Sequence, residues 1–215
     1  MTSEFTPQKQ SAGKSANQIP LKRLAAIKVV VLGASTGGPD VIRQIVRALP
    51  AEFSYPILMV QHIAPGFIEG MAAWMVKETP LEVCLASHGE HIRSGVIYLA
   101  PEGVHMGLAK KYVVELSEHP PEYRVRPAVA HLFRTTARIA GKTAVGILLT
   151  GMGRDGAKEL RELRDAGAIT IAQNEATSIV FGMPGEAVKL DACDYVLSIQ
   201  EIIEFLKDLA AHKQL

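Results

Sequence analysis

The chain has 215 residues, with 23 Lys plus Arg against 22 Asp plus Glu and two cysteines. That length fits one domain with an extension, and a balanced charge without a basic block argues against nucleic acid as a partner. No apolar run approaches the ~18 residues needed to span a bilayer, and the N-terminus lacks the apolar core of a signal peptide, so a soluble cytoplasmic protein is expected. Cys84 and Cys193 lie far apart without a C-x-x-C pairing, which reads as free thiols rather than zinc or redox chemistry.

Residues 1–24 are mostly Ser, Gln, Lys, Thr and Ala, too poor in large apolar groups to offset the entropy of ordering, and read as a disordered tail or interdomain linker ahead of a folded unit over 25–215. From there strand and helix patterns alternate: strand 27–33, helix 39–49, strand 56–61, helix 67–78. The first helix carries its apolar stripe at Val41, Ile42, Ile45, Val46 and Leu49, with Pro39 suited to the first turn. Residues 57–60 (Ile-Leu-Met-Val) are apolar at every position, the mark of a strand covered on both faces in a parallel sheet. The rhythm then breaks. Val83–Ala86, Val96–Ala100, His105–Leu108 and Tyr112–Leu116 are short strand candidates with no helix between them, and the expectation is an antiparallel β insertion. Alternation resumes with helix 127–140, strand 144–149, helix 156–166, strand 168–172, helix 184–189, strand 194–197 and helix 199–212, the last opened by a capping box of Ser198 and Glu201. The fold class is therefore α/β: a doubly wound, mostly parallel sheet flanked by helices, whose ligands lie beyond the carboxyl ends of the strands.

Three segments immediately after parallel strands hold reactive side chains. Ser35 sits in Gly33-Ala34-Ser35-Thr36-Gly37, where a strand turns into a helix and the first helical N–H groups face the same space as the hydroxyl. His62 ends the all-apolar strand, and Asp155 lies in the loop Thr150-Gly151-Met152-Gly153-Arg154-Asp155-Gly156. Serine, imidazole and carboxylate on neighbouring strand ends are what a serine nucleophile needs: a neutral ring to remove its proton and an anion to orient that ring. Each has a plainer reading, Ser35 and Asp155 as helix caps and His62 as an edge histidine. Among the other histidines, His105 is a substrate-side candidate because it follows Ala100-Pro101 and can approach the cleft from the insertion, while His131 falls on a helix beside an apolar stripe.

A dinucleotide site is disfavoured, because the glycine spacing is not G-x-G-x-x-G and the second strand ends in Gln61-His62 where a ribose-binding acid belongs. An ordinary α/β hydrolase is disfavoured by the order of the reactive residues, since here the histidine loop precedes the aspartate loop. A catalytically silent binding module, or a free-standing serine hydrolase acting in another signalling pathway, stays open on the residues alone.

Gly33-Ala34-Ser35-Thr36-Gly37-Gly38-Pro39, Gln61-His62 with Pro65-Gly66-Phe67, Ala100-Pro101 with His105-Met106, Arg126-Pro127, Leu149 through Gly156, and Ala172 through Ala176 with Val180-Phe181-Gly182-Met183-Pro184 occur here in one order. Together they resemble the catalytic domain of the chemotaxis protein-glutamate methylesterases, the CheB family, over about residues 27–205. The resemblance implies a Ser-His-Asp triad of Ser35, His62 and Asp155, with no metal and no organic cofactor. It implies as substrates the methyl-esterified glutamates on the cytoplasmic helices of chemoreceptors, and in some members glutamines to be deamidated. Oxyanion donors are expected from the backbone around Thr36 and from the Met152 loop. Family members usually carry an N-terminal receiver domain, and residues 1–24 are too few to hold one, so a receiver acting in trans or cut away is expected. The chain departs from the family's usual pattern at Ala128 and Ala130, where Ser and Asp are common.

Overall fold

All six residues of strand β1 (Val29–Ala34) are buried, and they divide cleanly between two cores. Val30, Leu32 and Ala34 face one apolar cluster, Val29 and Val31 the other. Such two-sided burial fixes β1 in the middle of the sheet. The structure, a computed structural model, describes residues 21–212.

Seven strands form one sheet in the order β3 (Glu82–Leu85), β4 (Val96–Leu99), β2 (Ile57–Gln61), β1, β7 (Ala144–Leu148), β8 (Ile169–Gln173) and β9 (Tyr195–Leu197). Every pairing within it is parallel. Helices α1 (Leu21–Ala25), α2 (Gly38–Ala48), α3 (Ile68–Glu78) and α7 (Ile199–His212) belong to one face. The other face is covered by α4 (Val129–Ile139), α5 (Ala157–Asp165), α6 (Met183–Lys189) and a separate antiparallel hairpin of β5 (His105–Ala109) and β6 (Val113–Ser117). Because the chain winds outward from β1 through β2 and then returns to place β7 on β1's other side, the switch point lies between β1 and β7. A crevice opens there beyond the strand ends.

Most expected elements lie within two residues of their observed bounds. The α7 capping box is present, with Glu201 N–H donating to Ser198 Oγ at 3.2 Å and Ser198 N–H donating to Glu201 Oε2 at 2.8 Å. Two expectations need correction. The antiparallel insertion is two strands rather than four: β3 and β4 pair in parallel at the sheet's edge. No helix crosses between them because the connecting segment bonds instead along β6, through Gly89 N–H to Val114 O, Val114 N–H to Glu90 O and an antiparallel bridge of His91 with Val113. The hairpin thus takes the place of a crossover helix. The folded part also starts earlier than residue 25, since Leu21–Ala25 form a short helix with Leu24 buried and Arg23 Nη2 donating to Ala168 O at 3.0 Å. The rest of the 1–24 tail lies outside the described residues.

The two halves of the sheet meet α4 at Gly33, where a Cβ would stand 2.3 Å from Val129 Cγ1. Gly33→Ala is therefore expected to lower stability by about 1–3 kcal/mol through overpacking. Urea unfolding of the double variant Gly33→Ala/Val129→Ala should recover most of that loss, and a purely additive pair would contradict this packing.

Candidate active site

The chain leaves β1 at Ala34, and Ser35 N–H donates to Thr150 O at 3.0 Å, tying the turn to the end of β7 across the switch point. Gly38 N–H returns to Ser35 O at 2.8 Å, closing a four-residue turn before α2. Gly37 holds φ 80° and ψ −5°, the values of the third residue of a type II turn, which only glycine adopts without strain. Ser35 is half-buried, and Thr36 is exposed.

His62 arrives beside Ser35 because β2 pairs with β1 in the register Ala34 with Gln61, and His62 N–H donates to Ala34 O at 2.9 Å. Its Nε2 stands 2.9 Å from Asp155 Oδ2, although the ring N–H does not point along that line, so this is a close approach rather than a linear hydrogen bond. Asp155 is buried, and its two oxygens accept from the N–H groups of Val129 at 2.7 Å and Ala130 at 2.9 Å. The aspartate does cap a helix, but the helix is α4 and not the α5 that follows it in sequence. A carboxylate there meets the unpaired donors and positive end of the α4 dipole. Ala128 and Ala130, the two departures from the family pattern, are both fully buried at this junction.

The loop after β7 is braced from behind. Gly151 N–H donates to Val180 O at 3.0 Å, and Gly182 and Met183 N–H donate to Gly151 O at 3.1 and 2.9 Å. A Cβ on Gly151 would lie 2.8 Å from Ser35 Cβ, so the loop's backbone lies directly against the serine. Met152 projects into solvent, and among the described residues neither its N–H nor those of Thr36 and Gly37 has an acceptor. Those three donors and the Ser35 hydroxyl, which also makes no hydrogen bond among the described residues, are free polar groups of the crevice, and Gln61 Oε1 and His62 Nε2 beside them also lack a hydrogen-bond partner.

His105 is elsewhere. It is fully buried, its Nδ1 accepts from Ala128 N–H at 3.2 Å and its Nε2 donates to Pro120 O at 3.1 Å. With both nitrogens committed to backbone it has none left for a substrate, so its substrate-side assignment is corrected to a structural one. It stacks on His131 with centroids 4.9 Å apart. His105, Glu122 and His131 bring possible ligand atoms within 4.8 Å of one another. Ligation would require His105 to give up a backbone bond and Glu122 to leave Arg134, which it holds bidentately at 2.7 and 3.1 Å. Burial pushes the thiols of Cys84 and Cys193 up to about 11, which disfavours the thiolate form.

A cavity of about 370 Å³ opens beside His62, walled by Ile63, Ile68, Ala100, Val125 and Pro127 with Arg126 and Glu102 as its charged members. Glu102 Oε2 accepts from Gly66 N–H at 2.7 Å, and Arg126 Nη1 donates to Glu118 O and His119 O, which fixes the walls on either side. Sequence reasoning missed the buried polar residues that hold this site, Gln61, Gln173 and Glu159. The two glutamines were signalled by position, at the ends of parallel strands where an apolar run gives way to an amide, and by their place in the family motifs, without a role attached to either.

Fold and site together define a doubly wound α/β protein with a serine, a histidine and an aspartate carried by the loops after adjacent parallel strands at the switch point. The model of the CheB methylesterase family matches residues 30–206. The chain belongs to the CheB methylesterase family. It is 45% identical over 201 residues to a protein-glutamate methylesterase/protein-glutamine glutaminase of Methanospirillum hungatei, covering 94% of this chain and 57% of that protein. A second, from Syntrophus aciditrophicus, is 49% identical over 183 residues, 85% of this chain and 52% of the relative. The chain thus spans about half the length of the curated relatives it matches. The crystal structure of the Thermotoga maritima CheB methylesterase catalytic domain superimposes with a TM-score of 0.81 at 37% identity, covering 85% of this chain and 98% of that one.

Burial lowers the pKa of His131 in the folded protein, against a smaller opposing pull from Glu122. The unfolded chain then binds a proton that the native state refuses, so stability is lost as pH falls through the ordinary histidine range near ~6.5 toward the lowered folded value. Glu122, held low chiefly by its Arg134 hydrogen bonds, responds only at more acid pH. Urea midpoints at about pH 7.5 and about pH 5.5 should differ less in His131→Gln than in the parent protein. An equal difference in both would exclude His131 as the source.

Proposed function

We propose that this chain hydrolyses the γ-methyl esters of glutamyl side chains on the cytoplasmic helices of chemoreceptors, with Ser35 as nucleophile, His62 as base and Asp155 as the group that orients the ring. The observation that carries this reading is the approach of His62 Nε2 to Asp155 Oδ2 at 2.9 Å, with His62 N–H bonded to Ala34 O next to the serine in the strand-to-helix turn. Family membership supplies the substrate class, since the relatives named above are protein-glutamate methylesterases and protein-glutamine glutaminases.

With Nε2 turned to Asp155, Nδ1 is the nitrogen left to take the Ser35 proton. The Ser35 Oγ to His62 hydrogen bond forms as substrate enters, as catalytic contacts often tighten only in the complex. Ser35 Oγ then attacks the ester carbonyl while its proton passes to His62, and the oxyanion is received by the free N–H groups of Thr36 and Met152. Collapse returns the proton to the departing methoxide, releasing methanol and leaving a glutamyl-serine ester. Water, deprotonated by His62, attacks that ester, and the products are the free glutamyl carboxylate and regenerated Ser35. A glutamine side chain follows the same course with ammonia as leaving group. The cavity beside His62 is far larger than a methyl group and would take the substrate's flanking side chains. A receiver domain, whether joined to this unit or acting in trans, would regulate access to the crevice.

Methanol release from methylated chemoreceptor membranes tests the reading. Release by the parent protein and none by Ser35→Ala is the expected result, and release by both would remove Ser35 from the mechanism. Asp155→Asn should lose on the order of 10⁴ in turnover, as a triad aspartate does. It should also lose about 1–2 kcal/mol of stability, since an amide supplies one acceptor where α4 presents two donors. A turnover loss below tenfold would leave Asp155 as a helix cap only.

A further inference from the structure

The serine turn is held by two side chains that touch no reacting atom. Gln61 is buried at the end of β2, and its Nε2 uses both protons, one to Ser35 O at 2.9 Å and one to His62 O at 2.7 Å. Thr150 is buried at the end of β7, and its Oγ1 donates to Thr36 O at 2.9 Å while accepting from Val180 N–H at 2.9 Å. Thr150 is itself fixed by its N–H, which donates to Gln173 Oε1 at 2.7 Å, and Gln173 Nε2 donates onward to Thr177 O at 2.7 Å.

A trans peptide is planar, with its C=O and N–H pointing to opposite sides. Holding Ser35 O toward Gln61 therefore turns Thr36 N–H the other way. Holding Thr36 O toward Thr150 does the same for Gly37 N–H. These are the two turn donors without an acceptor among the described residues. The second peptide is the one that flips when a type II turn converts to type I, and the αL conformation of Gly37 is the type II state. Nothing in the backbone alone prevents that flip, which would carry Thr36 O away from Thr150 Oγ1 and release the turn that aims Thr36 N–H.

We propose that Gln61 and Thr150 are positioning residues that lock the Ser35–Thr36 and Thr36–Gly37 peptides, so that Thr36 N–H is preset toward the β7 side, where the Met152 loop supplies the second oxyanion donor. Gln61 also fixes the backbone of the base, because its second proton goes to His62 O. Its amide fits against α2 only because residue 38 is glycine: a Cβ there would lie 2.0 Å from Gln61 Oε1. The acyl-transfer reading above underlies this assignment.

The test uses Gln61→Met and Thr150→Val, which keep side-chain bulk and remove the donors. Three quantities are measured: kcat and KM on a peptide bearing a glutamyl γ-methyl ester, inhibition by the matching trifluoromethyl ketone, and the rate of Ser35 capture by a fluorophosphonate. Donors that act on the transition state lower kcat and not KM. Each variant should lose on the order of 10²-fold in kcat with KM within about threefold, and the ketone should weaken by a similar factor. Melting temperatures identify loss due to unfolding. The lock is overturned if folded variants bind the ketone and turn over as the parent does, or if all loss of rate follows the unfolded fraction. Should the parent capture fluorophosphonate at Ser35 yet leave the methyl ester intact, the substrate assignment fails. The lock is then decided on capture rate alone, with slower capture in the variants supporting it and equal capture rejecting it.

Discussion

One carboxylate ties the two halves of this molecule together. Asp155 comes from the loop after β7, takes two N–H groups from the start of α4, and stands against the ring that β2 delivers. A buried carboxylate is costly unless its oxygens are satisfied, and here a helix terminus supplies two donors with a dipole of the right sign. The cap and the proposed catalytic orienter are thus one interaction. The helix needs the anion to end its donor row, and the anion needs the helix to stay buried beside His62. Moving α4 would move the carboxylate with it.

That makes the anchoring of α4 part of the chemistry. Its buried side rests on β1 through Val129 and on the hairpin through Thr135, whose Oγ1 accepts from Leu108 N–H at 3.1 Å. Its more polar side is held by Arg134, which joins Glu122 of the strap over residues 118–127 to Glu159 of α5. Glu159 is 2% exposed and burial raises its pKa, so Arg134 and the Tyr123 hydroxyl, 3.3 Å from Oε1, are the partners that make its position tolerable. The same strap supplies Val125, Arg126 and Pro127 to the cavity wall. Cavity shape, helix position and carboxylate position are therefore set by one ion-pair network. A partly buried network of this kind serves geometry more than net stability.

Local pattern made the framework and the three reactive residues legible because each depends on short-range rules. The run Ile57-Leu58-Met59-Val60 has to be a two-sided strand, and Ser35, His62 and Asp155 each follow one. What escaped depends on long-range pairing. Nothing within residues 82–99 says that their connection will bond along β6 and let β3 and β4 lie parallel. His105 follows a loop like a cleft residue, and only the docking of residues 120–128 buries it and commits both nitrogens. Gln61 and Gln173 look like ordinary polar ends of strands until the partners of their amides are known.

The same topological position binds pyrophosphate in dinucleotide-binding folds, with helix N–H groups and a glycine-rich turn as its tools. What separates the two uses here is where the carbonyls go. Ser35 N–H and O are both committed, to Thr150 and to Gly38 with Gln61, so the turn is drawn tight against the strand ends. Among the described residues the N–H groups of Thr36, Gly37 and Met152 lack an acceptor, beside a hydroxyl and an imidazole. A phosphate wants several donors around a diffuse charge, whereas a tetrahedral oxyanion needs two on one oxygen with the nucleophile alongside. Gln61, standing where the second strand of a dinucleotide fold offers an acid, completes the change: it gives its protons to the turn and the base instead of accepting from a ribose. That arrangement is the one the proposed acyl transfer needs, and it lacks the acid that would hold a nucleotide's ribose.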